Sequence, residues 1–84
     1  MSATVRIHTT GPSSCEAVRR ALAGAAVQPR NAPDSTLDVT GPMDLGTLAR
    51  TVAEALDAVA LAERGAFVPE RVSASEFNLR PAAA

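Results

Sequence analysis

Lysine, tryptophan and tyrosine are missing from this 84-residue chain, and cysteine and histidine occur once each. Without lysine the phosphate-cradling loop G-x-x-x-x-G-K-[ST] cannot be built. A single cysteine rules out an intramolecular disulfide. One cysteine and one distant histidine also fall short of the ligand set that a zinc site requires. No metal and no other cofactor is expected. Charge of one sign is scarce as well. The eight basic residues are all arginine, they are spread along the chain, and nine acidic residues bring the net charge to −1. With no basic run there is no footprint for direct nucleic-acid binding. No apolar run approaches the roughly 20 residues of a membrane-spanning helix. The opening "MSATVRIH" carries no apolar signal core, so a cytoplasmic protein without a membrane segment is expected.

Large apolar side chains are in short supply. Hydrophobic residues make up 46% of the chain, but alanine dominates them, and only two phenylalanines are present. At this length there is room for one small domain. Alanine contributes little burial energy per residue, so the domain needs every larger side chain it has.

What is present has clear periodicity. In "TVRIHTT" Val5, Ile7 and Thr9 alternate with Thr4, Arg6 and His8, the pattern of a half-buried strand. Gly11-Pro12 ends it. Ser13 and Glu16 then form an S-x-x-E capping box. A helix follows with Val18, Ala21, Leu22 and Ala25 on one face, and Pro29 forbids its continuation. Ala26 to Gln28 is expected as a short edge strand ended by Pro29. In "STLDVTG" Leu37 and Val39 point inward, and Thr36 and Asp38 outward.

After Gly41-Pro42, Asp44 is placed to cap the strongest helix, "LGTLARTVAEALDAVALAERG". At about 100° per residue its stripe is Leu45, Leu48, Ala49, Val52, Leu56, Val59 and Ala60. Arg50, Glu54 and Asp57 lie opposite. Leu61 falls in the middle of that polar side, and Gly65 closes the helix. Beyond it, "RVSASEFNLR" reads as a further strand or a docking segment. The fold class is therefore α+β, in the order β-α-(β)-β-α-β. It is expected as a two-layer sandwich with two helices on one face of a mainly antiparallel sheet, of the ferredoxin-like, split βαβ kind. Residues 1–65 form the domain, and 66–84 a C-terminal extension.

Cys15 lies in the first turn of its helix, where the helix dipole favours a thiolate. "IHTT…CEAVRRAL" resembles the first strand, loop and helix of thioredoxin-like proteins, and also of the heavy-metal-associated domain. Both use two cysteines at C-x-x-C. Here Ser14 and Val18 stand where a second cysteine belongs, so a monothiol reaction at Cys15 is the one catalytic alternative, and the other reading is a small residue near a helix start. His8 shares the solvent side of the first strand with Arg6, and Asp38 across from them would form a cross-strand ionic pair. "PSSCE" lacks the flanking glycines of a serine-hydrolase elbow. Leu61, with Phe67, Val68, Phe77 and Leu79 of the tail, forms either an intramolecular clasp or a partner-binding surface.

The segments "ATVRIHTT…CEAVRRAL" and "TLDVTGPMDLGTLARTVAEALDAVALAE" together resemble the smallest, dimerising subunit of the KEOPS complex, the archaeal and eukaryotic assembly for threonylcarbamoyl modification of tRNA. Shared are the length, the short helix after the first strand, and a long helix that opens with Asp-Leu, here Asp44-Leu45, followed by Leu48. Where that family's helix carries Arg and then an Asn-Ser pair, this chain has Ala49, Ala53 and Glu54. The resemblance spans residues 3–64. It implies a non-catalytic accessory subunit in tRNA processing that dimerises and supports a catalytic partner. Without it, the residues still point to a small interaction module that binds a protein partner or a second copy of itself.

Overall fold

A computed structural model describes residues 2–64 and 66–82. The elements are β1 (Ala3–His8), α1 (Pro12–Ala21), β2 (Gln28–Ala32), β3 (Thr36–Gly41), α2 (Leu45–Ala62), β4 (Phe67–Ser73) and β5 (Glu76–Pro81). They build an α+β sandwich. One five-stranded sheet in the order β2-β3-β1-β5-β4 carries the apolar side chains of both helices against one of its faces.

β1 and β2 both run antiparallel to β3, which lies between them. They are therefore parallel to each other, and β1-α1-β2 is a split βαβ unit. On the other side β5 pairs with β1 in parallel, and β4 pairs with β5 in antiparallel on the outer edge. Three of the four neighbouring pairs are antiparallel, as expected, and the β1–β5 pair makes the sheet mixed.

The alternation of β1 and β3 holds in detail. Val5, Ile7, Leu37 and Val39 are fully buried beneath the helices. Their neighbours Thr4, Arg6 and His8 pair with Thr40, Asp38 and Thr36 on the open face. α1 adds Val18 and Leu22 to the core. α2 adds Leu48, Ala49, Val52, Ala55, Leu56 and Val59, while Leu45 is only half-buried.

Several local expectations are corrected. The capping box at Ser13 does not form. α1 starts at Pro12, with Gly11 at the N-cap and no side-chain cap bond. Proline suits the first helical position because its missing N–H is one the helix leaves free anyway. Its fixed φ starts the helix there, so Ser13 lies within it and cannot cap it. Glu16 instead sits 3.9 and 3.7 Å from Arg19 and Arg20. The buried hydroxyl of the turn is Ser14, bonded to Thr10 Oγ1 at 2.7 Å.

β2 is Gln28–Ala32, not Ala26–Gln28, and Pro29 lies inside it opposite Val39. An edge strand has one side without ladder partners, so a proline there forfeits nothing. Asp44 is the N-cap of α2, but its carboxylate accepts from the Thr47 hydroxyl and makes no capping bond to the backbone. Gly65 lies outside the described residues. The left-handed backbone after α2 is found at Arg64, with φ 56°.

Of the extension expected at 66–84, residues 67–81 belong to the sheet. Residues 67–81 form a hairpin whose inner strand covers the edge of β1. Parallel pairing at β1 has a simple origin. α2 delivers the chain to the outer edge, β4 runs along it, and the tight turn at Ala74-Ser75 brings β5 back in the opposite direction into the gap.

Candidate functional site

The two halves of the candidate thiol chemistry fall on opposite faces of the sheet. Cys15, in α1, is partly buried, and its Sγ lies 3.1 Å from Thr9 Oγ1 and 3.3 Å from the Ser35 carbonyl oxygen. Thr9 Oγ1 in turn donates to the Ser35 carbonyl at 2.6 Å. The hydroxyl proton is thus engaged, and the thiol donates into this pair of oxygens. Cys15 ties the first turn of α1 to the end of β1 and to the turn between β2 and β3. That turn is itself demanding, with Asp34 and Ser35 both left-handed at φ 61° and 57°. A cavity of about 370 Å³ beside it is lined by Pro12, Cys15, Asn31 and Thr36 among others.

His8 sits on the open face. Its Nε2 meets the Glu76 carboxylate, and its Nδ1 lies 3.4 Å from Thr36 Oγ1. No hydrogen bond joins His8 to Cys15. The positions where a second cysteine would stand are otherwise used: Val18 is fully buried in the core, and Ser14 bonds Thr10. Among the described residues no three His, Cys, Asp or Glu side chains gather as a metal-binding group.

On the open face of the sheet several polar side chains pair with one another, while Arg30, in register with Asp38, makes no ion pair among the described residues. Arg6 donates to both oxygens of Asp38, at 2.9 and 3.2 Å. Thr4 and Thr40 hydroxyls meet at 3.1 Å, and Arg80 pairs with Glu70 at 3.0 Å. The expected cross-strand pairing at Asp38 is therefore made with Arg6, while His8 takes Glu76 from β5.

The Arg6 guanidinium bonded to Asp38 holds its carboxyl below the ordinary carboxylate range. A carboxyl whose pKa is lower in the folded than in the unfolded chain stabilises the fold above the unfolded value and loses that contribution as pH falls through the folded one. The urea midpoint of the wild type is therefore expected to drop below pH 4, near the ordinary value of 3.8. Asp38→Asn lacks that titration and should give a flatter acid limb. Identical acid limbs in the two proteins would show that the pair contributes nothing.

The tail residues separate into two groups. Phe77 and Leu79, at 3% and 1% exposure, belong to the core and are not available as an interface. For them the clasp reading holds. Phe67 is half-buried against the same cluster. Val68 and Val72 are exposed on the outer strand, and Leu61 is 81% exposed on α2. On the same side of the helix as Leu61 lie the exposed Asp57, one turn before it, and further back Glu54 and Arg50. Both edge strands carry a proline, Pro29 in β2 and Pro69 in β4. Proline blunts an edge against strand addition, so association through the faces is favoured over association through the edges.

What the helical period could not show is that Gly46, Arg50 and Asp57 of α2 line a groove together with Pro69, Glu70, Arg71 and Phe77 of the final hairpin. No helix among the described residues is long and apolar enough to cross a membrane. No protein-family model matches the chain, and no curated protein matches it.

Proposed function

We propose that this chain is a non-catalytic protein-interaction module of the cytoplasm, an accessory subunit whose binding surface is the outward face of α2. The observation that carries this reading is Leu61. A domain with few large apolar side chains sends nearly all of them inward, yet leaves this one 81% exposed within a charged surface. One exposed leucine is ordinary on a large protein. Among the described residues it is the most exposed of three exposed large apolar residues, and it stands in the last turn of a helix.

The most specific version is an accessory role like that of the KEOPS dimerising subunit. The resembling region, residues 3–64, runs from β1 through α2, and the β4–β5 hairpin lies beyond it.

The test places a photo-crosslinking amino acid at position 61, and as a control at Ser13 on α1, in cells that make the protein. A discrete adduct from position 61 alone is expected. No adduct from position 61 would end the interaction reading at this face. For the KEOPS-like version, the purified chain is mixed with the catalytic subunit of the tRNA threonylcarbamoyl-modifying assembly from the same cell. Separate elution of the two in size exclusion would remove that version.

A further inference from the structure

We infer that the binding partner presents a short acidic segment of extended chain, and that this segment lies in the groove between α2 and the final hairpin. The inference rests on the interaction reading above and names the chemistry of its partner. The groove has a volume of about 510 Å³. Its helical wall carries Gly46, Arg50, Ala53 and Asp57, which at about 100° per residue fall within an arc of roughly 60°. Pro69 and Arg71 of β4 stand on the other wall. The small residues Gly46 and Ala53 leave the trough room. A Cβ at Gly46 would meet only an Asp44 carboxylate oxygen, at 3.3 Å, so the fold itself does not require glycine there.

Charge decides what the groove accepts. Four charged side chains line it: Arg50, Asp57, Glu70 and Arg71. Glu70 is engaged by Arg80 at 3.0 Å. Among the described residues the other three make no ion pair. Two cations against one anion remain, on a chain whose net charge is −1. The groove is thus locally positive where the molecule as a whole is slightly negative, and it complements carboxylates. Arg71 is held in place for one. Its guanidinium lies over the Phe77 ring, 5.7 Å from the centroid, and its Nε donates to the Ser73 carbonyl oxygen at 3.2 Å. The two terminal nitrogens are left to receive a carboxylate in the planar geometry of the guanidinium fork.

Length and exposure decide the form of the partner. Gly46, Arg50, Asp57 and Arg71 are all exposed, so the trough does not enclose a small acid, and small-molecule sites bury about 70–90% of their ligand. An extended chain fits instead. The helical wall from residue 46 to residue 57 runs about 16 Å, a length that about five residues of extended chain span. One turn beyond Asp57 stands Leu61, 81% exposed, where an apolar side chain at the end of the acidic stretch would rest. Pro69 lacks the N–H that strand addition at β4 would use, so the segment is held through its side chains and not as an added strand.

The test uses the full chain labelled with nitrogen-15 and the peptide acetyl-Leu-Asp-Glu-Ala-Asp-Glu-Leu-amide, which has a leucine at either end so that chain direction does not matter. Saturable amide shifts confined to the groove walls and Leu61 are expected, with a dissociation constant of about 10–500 µM. Arg50→Glu and Arg71→Glu should each weaken binding by about fivefold or more. Asp57→Arg should strengthen it by about threefold, because it replaces the one free anion with a cation. The three positions are exposed, and unchanged thermal melts confirm that the variants fold. Should Arg71→Glu melt early through its lost ring contact, the Arg50 and Asp57 variants carry the test. The absence of saturable shifts overturns the inference. So does equal binding of the peptide with lysine in place of its acidic residues, or indifference to the charge reversals. Equal binding of glutarate would make the groove a site for small acids and overturn it as well. If the peptide does not bind while position 61 still crosslinks to a protein, the acidic segment is excluded and the interaction reading stands. A crosslinked product of twice the chain's own mass would name a second copy as the occupant, again against the acidic segment. If neither peptide nor crosslink gives a signal, both readings fall.

Discussion

Removing residues 66–84 is expected to abolish cooperative folding. The hairpin supplies the strand that covers one edge of β1, through the pairs Arg6↔Glu76, Ile7↔Phe77 and His8↔Asn78. It also supplies the bond from the Arg6 amide to the Ser75 carbonyl at 2.8 Å. Without it, β1 becomes an edge strand and the core loses Phe77 and Leu79. Burial of each of these side chains stabilises by about 1.5–3 kcal/mol. Their loss also uncovers the apolar side chains packed against them. Domains carry only about 0.05–0.15 kcal/mol of net stability per residue, so the hairpin accounts for a share comparable to the whole. A chain of residues 1–65 should show no sigmoidal melt by far-ultraviolet circular dichroism and should bind a hydrophobic dye. A cooperative melt close to that of the full chain would mean that residues up to 65 do form a domain by themselves.

Phe77→Ala should cost about 3–5 kcal/mol, the range for emptying a large aromatic site in a packed core. Phe77 is one of only two aromatic side chains in the protein and is 3% exposed. Its ring also carries Arg71, whose guanidinium carbon lies 5.7 Å from the ring centroid. The core around it is mainly close-packed Val, Leu and Ile side chains, which relax only partially into an emptied site. In a domain of this size each kilocalorie shifts the melting temperature by about 4–8 °C, so a fall of well over 10 °C is expected. Val68→Asp, on the exposed outer strand, provides the contrast and should stay within about 0.5 kcal/mol of wild type. Equal effects at the two positions would show that β5 does not sit in the core as described.

Much of this architecture was legible from side-chain alternation. β1, β3 and the two helices each have one apolar face, and the period of that face is a local property of the chain. Val5, Ile7, Leu37 and Val39 form the inward face of two paired strands, and the apolar stripes of the two helices cover them. The misplaced features have two causes, one in the sheet and one local. Pro29 ends a strand only if both its edges need hydrogen bonds, and which strand is an edge is a property of the sheet. Ser13 would have capped α1 if Pro12 had not already started it, a competition between two local signals of similar strength.

The candidate site was legible in part. The anomaly of Leu61 on the polar side of α2 follows from the helical period alone. That Phe77 and Leu79 belong to the core while Val68 does not was undecidable from the sequence. All of them sit in strands with alternating character, and burial depends on which face the helices occupy. The relation between His8 and Cys15 was equally undecidable, because seven residues can pass from one side of a sheet to the other. The structure puts the imidazole on the open face against Glu76 and the thiol on α1 against Thr9 and Ser35.

By itself, then, the sequence determined β1, β3 and the two helices, their apolar faces, the exclusion of an intramolecular disulfide and of P-loop chemistry, and the exposed leucine on α2. Those follow from residue type and from periods of two and 3.6, which need no distant partner. Only the tertiary structure decided that the final hairpin enters the sheet beside β1, that Asp38 takes Arg6 while His8 takes Glu76, and that Cys15 serves as a tie between a helix and a turn. Each of these depends on which segments become neighbours. That choice is made by the packing of all the apolar faces at once, across separations as long as the 68 residues between His8 and Glu76.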